Sequence, residues 1–162
     1  MKQRMCSLFL ALVLLLSLAV PAAAAGTMPF TDVKESDWFY SYVKTMYDNE
    51  LVSGTTPTTF SPQDTVTLGE ALKFILNAAG YTAPTTSGKN WASGYYQLAQ
   101  EKGFLNSSWS LGLNDAMNRL QIAELIVNVL GVERKQQTAS PFTDTSDVAA
   151  LILSDHGIFE GT

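Results

Sequence analysis

The chain has 162 residues, with 15 acidic and 10 basic side chains and a net charge of −5. That length suits one or two small domains, and the acidic balance argues against nucleic acid or an anionic membrane surface as partner. One cysteine and one histidine exclude a disulfide framework and a zinc site of the usual kind.

The first 25 residues have the pattern of a secretory signal peptide. Lys2 and Arg4 form a positive start, the apolar run of residues 8–20 is too short to span a bilayer comfortably, and small residues follow it. We expect cleavage after Ala25, which would remove Cys6 and both basic residues. The mature chain would then carry eight basic and 15 acidic residues, a net charge of −7, with no membrane association after signal removal.

Four helices are predicted from apolar residues at the spacing i, i+3, i+4 and i+7. The third apolar set is the first moved by 53 residues, and the fourth is the second moved by 51; the sets begin at Phe39, Ala71, Ala92 and Ile122. Gly80 and Gly131 stand at corresponding positions, where the C-terminal end of a helix favours a left-handed residue. The chain is therefore interpreted as a helix-loop-helix unit that is repeated.

The second and fourth helices are also predicted to begin alike. Thr67 and Glu70 have the spacing of a capping box, in which a hydroxyl and a carboxylate each bind the other's free backbone N–H. A shift of 51 residues turns this pair into Asn118 and Gln121, a weaker version of the same cap.

A third copy begins but is not finished. The lead-in "PFTD" of residues 29–32 returns at 141–144, and "ELVSGT" of residues 50–55 corresponds to "GIFEGT" at 157–162. We expect the apolar residues of this copy to lack a covering helix: Ala149, Ala150, Leu153, Ile158 and Phe159. The predicted organisation is a signal peptide at 1–25, repeats at 29–81 and 82–132, and the start of a third repeat at 141–162, as in the N-terminal piece of a longer protein.

The motifs of these repeats resemble those of S-layer homology domains. The first repeat has "FTDV" (30–33), "DW" (37–38), "LVSGT" (51–55), "FSP" (60–62) and "VTLGE" (66–70), and the second keeps Trp91, "GFL" (103–105) and "MNRLQ" (117–121). The resemblance implies an all-α fold of helix-loop-helix repeats packed around a pseudo-threefold axis. It also implies a non-catalytic anchor at the bacterial cell wall or S-layer, without cofactor or metal. Its partner would be secondary cell-wall polysaccharide, pyruvylated in some cases, or another peptidoglycan-associated glycan.

The arginine of the family's "T-R-A-E" helix start is the residue most associated with ligand binding. Leu68 replaces it in the first repeat, whereas Arg119 keeps it in the second, next to Asn118. At a helix N-terminus a guanidinium could bind a carboxylate through two parallel hydrogen bonds. The alternative is an exposed arginine that pairs with Asp115 or Glu124.

The predicted ligand-binding residues are Arg119, Asn118, Trp38, Asp37, Gly54 and Thr55. Trp38 could stack on a sugar ring, but core packing is favoured for most of its ring, as it is for Trp91. Trp109 lies in a polar loop and is expected to be partly exposed.

Several acidic residues have simpler structural interpretations. Asp37 is expected to cap the first helix, and Asp32 and Asp144 are expected to close turns through bonds to their own backbone. His156 is expected near a helix end, where an imidazolium is mildly favoured.

Three functions remain open at this point. The first is a glycan-binding anchor, the second is a module that kept the fold but contacts protein, and the third is the targeting region of a cell-wall hydrolase. Catalysis by the chain itself has no positive support, since no serine lies in a G-x-S-x-G elbow and no acidic run has calcium-loop spacing. Two carboxylates could hydrolyse a glycoside only if the fold set their separation.

Overall fold

The computed structural model describes residues 27–86, 90–133, 142 and 144–158. The predicted signal peptide with Cys6, and residues 159–162, lie outside the described residues. Within them the chain forms five helices and no strand: α1 (Tyr40–Asp48), α2 (Leu68–Ala78), α3 (Ser93–Lys102), α4 (Arg119–Leu130) and α5 (Val148–Asp155). The predicted all-α class is confirmed, and the packing about a pseudo-threefold axis stays a prediction.

Helices α2 and α4 begin with the same reciprocal cap. The Thr67 hydroxyl accepts the backbone N–H of Glu70, whose carboxylate accepts the N–H of Thr67 at 2.9 Å. In α4 the Asn118 side chain accepts from the N–H of Gln121, and the Gln121 side chain accepts from the N–H of Asn118, both at 2.9 Å. Both predicted capping boxes are confirmed, so each helix start satisfies two backbone donors locally.

Left-handed glycines follow four of the described helices, including Gly157 after α5 with φ of 66°. Gly80 after α2, Gly103 after α3 and Gly131 after α4 have φ of 80°, 70° and 61°. This conformation is disfavoured for residues with a Cβ, so each glycine allows the chain to leave its helix sharply. The predicted glycine stops at Gly80 and Gly131 are confirmed.

The largest core forms around α2 and crosses the predicted repeat boundary. Leu72 and Leu76 of α2, Ala99 of α3 and Leu125 of α4 have no exposed surface. Burying a side chain the size of leucine contributes about 1.5–3 kcal/mol. Helix α2 therefore packs against α3 and α4, and the first two predicted repeats share one hydrophobic core.

Helix α1 packs on loops instead of on another described helix. Phe30, Val33 and Val43 form a second buried cluster. The rings of Tyr47 and Phe60 lie 5.4 and 5.5 Å from the Phe30 ring, one edge-on and one tilted. The lead-in and α1 thus build a small core of their own, and the opposite face of α1 is exposed to solvent.

The expectation that the third copy lies uncovered is wrong for most of its helix. Ala149, Ala150 and Leu153 are buried, and α5 packs on α4, where Ala123 has no exposed surface. The Asp147 side chain caps α5 by accepting the N–H groups of residues 149 and 150. Ile158 is 48 % exposed, as expected, while Phe159 lies outside the described residues. The second helix of one repeat therefore covers the first helix of the next.

Asp32 lies in a turn, as predicted, but the main partners of its carboxylate are not the local backbone. Its carboxylate accepts the backbone N–H groups of Phe60 at 2.9 Å and of Ser61 at 2.7 Å, almost 30 residues away. A backbone hydrogen bond joins the same two segments, in which the Thr31 N–H donates to the Thr58 carbonyl at 2.9 Å. The aspartate of the lead-in therefore fixes the backbone of the "FSP" motif, and the two motifs form a single structural unit. Asp144, at the corresponding place in the third copy, is exposed.

We predict that the Asp32 clamp stabilises the fold in a pH-dependent manner. The Phe60 N–H, and then the Ser61 N–H, lower the pKa of the Asp32 carboxyl from its ordinary value of 3.8. A carboxyl whose pKa is depressed in the folded state stabilises that state above pH 3.8, and this contribution is lost as the pH falls through the folded-state pKa. Asp32→Asn should therefore unfold at a lower temperature than the wild type at pH 7.

The measurement is thermal unfolding of the wild type and Asp32→Asn between pH 7 and pH 2. The difference between their midpoints should narrow below pH 3.8, because the wild-type carboxyl then becomes neutral as well. Asp144→Asn serves as the matched control in the third copy. Identical midpoints at pH 7 for the wild type and Asp32→Asn would contradict the clamp.

Candidate functional site

A groove of about 440 Å³ lies where the first repeat meets the second. Its walls come from the turn at residues 52–55, the segments 60–62 and 64–66, and one face of α2. Trp91, just before α3, closes it from the side of the second repeat. We call this cavity groove 1; it combines an aromatic ring with many hydroxyl and backbone groups, the composition expected of a site for a polar ligand with an apolar face.

A lysine connects the two sides of groove 1. Lys73 of α2 donates from Nζ to the Ser53 hydroxyl at 3.1 Å, and the same ammonium lies 5.9 Å from the centre of the Trp91 ring. That distance is within the range of a cation–π interaction. The arrangement places a cation, an aromatic face and a hydroxyl together at the junction of the two repeats.

Two predicted site residues, Gly54 and Thr55, line groove 1. Gly54 has φ of 76°, and a Cβ there would lie 2.5 Å from both Phe30 Cε1 and the Thr59 carbonyl oxygen. Only glycine fits, so the turn can approach the lead-in closely. The Thr55 hydroxyl lies 2.9 Å from that of Ser61, so the hydroxyl groups of the wall form a connected set.

The start of α2 is joined to the second repeat by backbone hydrogen bonds. Leu68 N–H donates to the Asp115 carbonyl at 3.0 Å, and Gly69 N–H donates to the Leu113 carbonyl at 2.9 Å. These are two of the donors that a helix N-terminus normally offers to an anion. Because protein carbonyls use them here, the N-terminus of α2 is closed as an anion site.

Leu68, at the position of the family arginine, is a core residue. It is 2 % exposed and packs in the shared core of the two repeats. It also borders a second cavity of about 340 Å³, which we call groove 2 and which is lined by Leu68, Tyr96, Gln100, Gly103, residues 105–107, Trp109 and Leu111. The replacement of arginine by leucine therefore gives the inter-repeat contact an apolar surface instead of a charge.

The core prediction for two tryptophans is wrong. Trp38 is 81 % exposed and Trp91 is 59 % exposed. Trp38 lies two residues before α1, with its ring edge-on to Phe39 at 5.5 Å. Tyr42 of α1, whose ring lies 6.5 Å from that of Trp38, is 66 % exposed. Trp109 is partly buried against the shared core, as the prediction of partial exposure requires.

The other predicted site residues are spread over the surface. The prediction that Asp37 caps α1 is wrong. The Asp37 carboxylate accepts the backbone N–H of Lys34 at 2.8 Å. The N-cap of α1 is Phe39, whose side chain makes no capping hydrogen bond. Asp37 borders a depression beside residues 61–64. Arg119 is the exposed first residue of α4, with Asn118 as its N-cap. Arg119 and Asn118 line neither groove 1 nor groove 2.

Lys73 and Ser53 were missed as site residues by sequence reasoning. A local signal does exist, because Lys73 is four residues beyond Gly69 on α2 and therefore lies on the same helical face. Gly69 faces Trp91 and Ala92 of the second repeat, so a residue on the same face of α2, such as Lys73, also lies near the second repeat.

The described residues contain no group of three His, Cys, Asp or Glu side chains arranged for a metal ion. None of the described helices combines the length and apolarity needed to cross a bilayer. His156, at the C-terminal end of α5 as expected, lies 2.9 Å through its ring Nε2 from the Glu133 carbonyl.

Comparison with known proteins identifies the first repeat. Residues 29–72 match the S-layer homology domain family. The chain is 35 % identical over 166 residues to an endoglucanase of Bacillus sp. (strain KSM-635), covering 90 % of this chain and 17 % of that protein. It is 35 % identical over 109 residues to the middle cell wall protein of Brevibacillus brevis, a match that covers 67 % of this chain and 10 % of that protein. It is 28 % identical over 102 residues to the surface-layer 125 kDa protein of Lysinibacillus sphaericus, a match that covers 58 % of this chain and 9 % of that protein.

These matches indicate where the protein is located. The S-layer homology domain is a non-catalytic module, and together with the cell-wall and surface-layer relatives it indicates a protein of the cell surface. The chain spans 17 % or less of the length of these curated relatives, so the match to the endoglucanase does not make this chain an enzyme.

We predict that Gly69→Ala destabilises the junction that forms groove 1. A Cβ at this position would lie 2.9 Å from the Ala92 Cβ and 3.1 Å from the Leu113 carbonyl oxygen, and neither can rotate away. Alanine is favoured over glycine in a helix by about 1 kcal/mol, but overpacking costs about 1–3 kcal/mol. The net expectation is a loss of up to about 2 kcal/mol in the free energy of unfolding.

Chemical denaturation followed by tryptophan fluorescence measures this change. Leu120→Ala is the matched control, because Leu120 holds the corresponding position of α4 and is 39 % exposed. If Gly69→Ala instead raised the free energy of unfolding by the full helix preference of alanine, about 1 kcal/mol, the close contact between the repeats would have relaxed without cost, which would contradict the prediction.

Proposed function

We propose that the chain, whose residues 29–72 form an S-layer homology domain, is a non-catalytic anchoring module that binds secondary cell-wall polysaccharide non-covalently. The single observation that carries this proposal is groove 1, in which the exposed Trp91 ring faces a wall rich in hydroxyl groups. Sugar rings have an apolar face that suits an indole and hydroxyl groups that suit a polar wall. Gly54 and Thr55 of this wall are proposed ligand contacts.

Arg119 is proposed as a second contact, outside groove 1. It stands exposed at the first position of α4, where the helix dipole favours an anion, and Asn118 holds the cap beside it. A polysaccharide is long enough to touch α4 and groove 1 at once. Trp38 and Asp37, on the surface beside α1, are proposed as further glycan contacts because an exposed indole can stack on another sugar of the same polymer.

Two other functions have a specific observation in their favour. The exposed rings of Trp38, just before α1, and Tyr42, within it, favour a module that contacts protein. The similarity to an endoglucanase over 90 % of this chain favours the targeting region of a hydrolase. Both remain compatible with an anchoring role, since a targeting region also has to hold its enzyme at the wall.

The proposed anchor should sediment with cell-wall sacculi of its own host. In a pelleting assay with the mature chain from Gly26 onward, sacculi that retain their acid-labile polysaccharide should carry the protein down. Sacculi stripped of that polysaccharide, with intact peptidoglycan, should leave it in solution. Equal pelleting with both preparations would favour a protein or peptidoglycan partner and count against the polysaccharide.

A second prediction concerns Arg119. A hydrogen bond to a charged group contributes about 1.5–3 kcal/mol, so Arg119→Ala should weaken binding to the polysaccharide roughly tenfold or more. Arg119→Lys should recover only part of it, because an ammonium keeps the charge but not the two parallel donors. The measurement is titration calorimetry with released wall polysaccharide, with circular dichroism to verify that helix content is kept.

Exposed residues in the first turn of α4 provide the comparison for this variant. Leu120→Ala removes a neighbouring side chain that carries no charge, and should bind like the wild type. Unchanged binding by Arg119→Ala, with helix content preserved, would remove Arg119 from the site.

A further inference from the structure

The cation in groove 1 comes from a position that no motif of the first repeat singled out. Leu68, which replaces the family arginine, is buried and has no charge to offer. Lys73, five residues further along α2, lies in the groove with its Nζ held by Ser53 and the Trp91 ring. The groove thus has a positive group, supplied from the face of α2 and not from its N-terminus.

The internal repeat offers a comparison for this lysine. A shift of 51 residues takes Lys73 to Glu124, and the shift of 53 that relates the first helices takes Ser53 to Asn106. Asn106 and Glu124 are also hydrogen-bonded, from Nδ2 to Oε1 at 2.6 Å. The same link between a helix face and a turn is therefore built twice, with a cation in the first repeat and an anion in the second.

We propose that Lys73 is the specificity-determining residue of groove 1, and that it selects glycans with an anionic substituent. The inference rests on the proposed glycan-binding function. An ammonium that is already positioned by Ser53 and Trp91 can take one more acceptor, and a carboxylate or phosphate oxygen gives the strongest hydrogen bond. At the corresponding place in the second repeat, Glu124 would repel the same group.

Two carboxylates also line groove 1, and they orient such a ligand. Glu70 is engaged in the capping box, where one carboxylate oxygen accepts both the N–H and the hydroxyl of Thr67. Asp64 lies in the wall formed by residues 64–66. A carboxylate accepts hydrogen bonds from sugar hydroxyls, whereas it repels an acidic substituent. A sugar with an acidic group towards Lys73 and hydroxyls towards Asp64 satisfies both residues.

The test compares three forms of the released wall polysaccharide: intact, with its carboxyl groups reduced to alcohols, and with its phosphates removed. Titration calorimetry on the wild type should show that one of the two modified forms binds about tenfold more weakly than the intact one, which identifies the anionic group. Lys73→Met keeps the long side chain against Trp91 but has no charge. It should lose most of the preference for the intact form, and any remaining preference belongs to the proposed Arg119 contact, while Lys73→Arg should keep the preference.

Two further variants separate charge selection from general weakening. Asp64→Asn should weaken binding of the intact and modified forms by the same factor, because hydroxyl contacts do not depend on the acidic group. Glu124→Lys should leave the preference of groove 1 intact, which makes it the matched charge change in the second repeat. Circular dichroism establishes that each variant is folded.

Each of the other results has a defined meaning. If Lys73→Met keeps the full preference of the wild type for the intact polymer, Lys73 does not select charge, although the proposed function stands. Equal binding of all three polymers by the wild type would also overturn the inference, together with an anionic partner for Arg119, while the proposed anchoring function stands. Failure of the wild type to bind the intact polysaccharide at all would overturn the proposed function, and the inference with it.

Discussion

The pairing of two helix starts is the constraint on which the rest of the structure depends. The segments before α2 and α4 run antiparallel, with a bridge between Thr67 and Ala116, and Met117 N–H donates to the Val66 carbonyl at 2.9 Å. These segments correspond to each other under the 51-residue shift, so each repeat contributes the same strip of chain. Buried backbone donors must find acceptors, and here each repeat supplies them to the other. The junction is therefore fixed by backbone geometry before any side chain contributes.

This pairing decides what the first position of α2 can be. Its side chain projects into the contact between repeats, where Leu68 is buried and where an uncompensated guanidinium would be costly. The corresponding position of α4 holds Arg119, which is exposed. One repeated motif thus has an apolar residue where the side chain is buried between repeats and a charged residue where the side chain reaches solvent. The degenerate motif of the first repeat is explained by packing.

The same junction also creates groove 1. Gly69 lets Ala92 approach α2, and Trp91 is thereby held beside Lys73 and the turn of residues 52–55. The far wall, residues 60–62, is held by Asp32 from the lead-in. Both walls are positioned by hydrogen bonds and close packing between distant segments, as the first shell of a binding site requires.

Sequence reasoning succeeded where the physics is local. The caps at Thr67 and Asn118 and the glycine stops depend on residues within four positions of each other, and the helix positions depend on a period of 3.6. It failed where contacts join distant segments. Asp32 looked like a turn former because its partners are the backbone N–H groups of residues 60 and 61, which have no side-chain signature. The exposure of Trp38 and Trp91 depends on which helix covers which, and hydrophobicity alone does not contain that information.

Charge sets the character of the proposed interaction with the wall. The mature chain is expected to carry a net charge of −7, and an acidic polymer would be repelled by such a protein at long range. Salt at about 0.1 M screens charges beyond roughly 10 Å, which removes most of that repulsion but little of a contact at hydrogen-bond distance. Binding must therefore depend on short-range groups such as Lys73 and Trp91, and on several weak contacts along one polymer. The proposed anchoring would therefore depend on several contacts and on their fit to the polymer, and it does not require an overall positive surface.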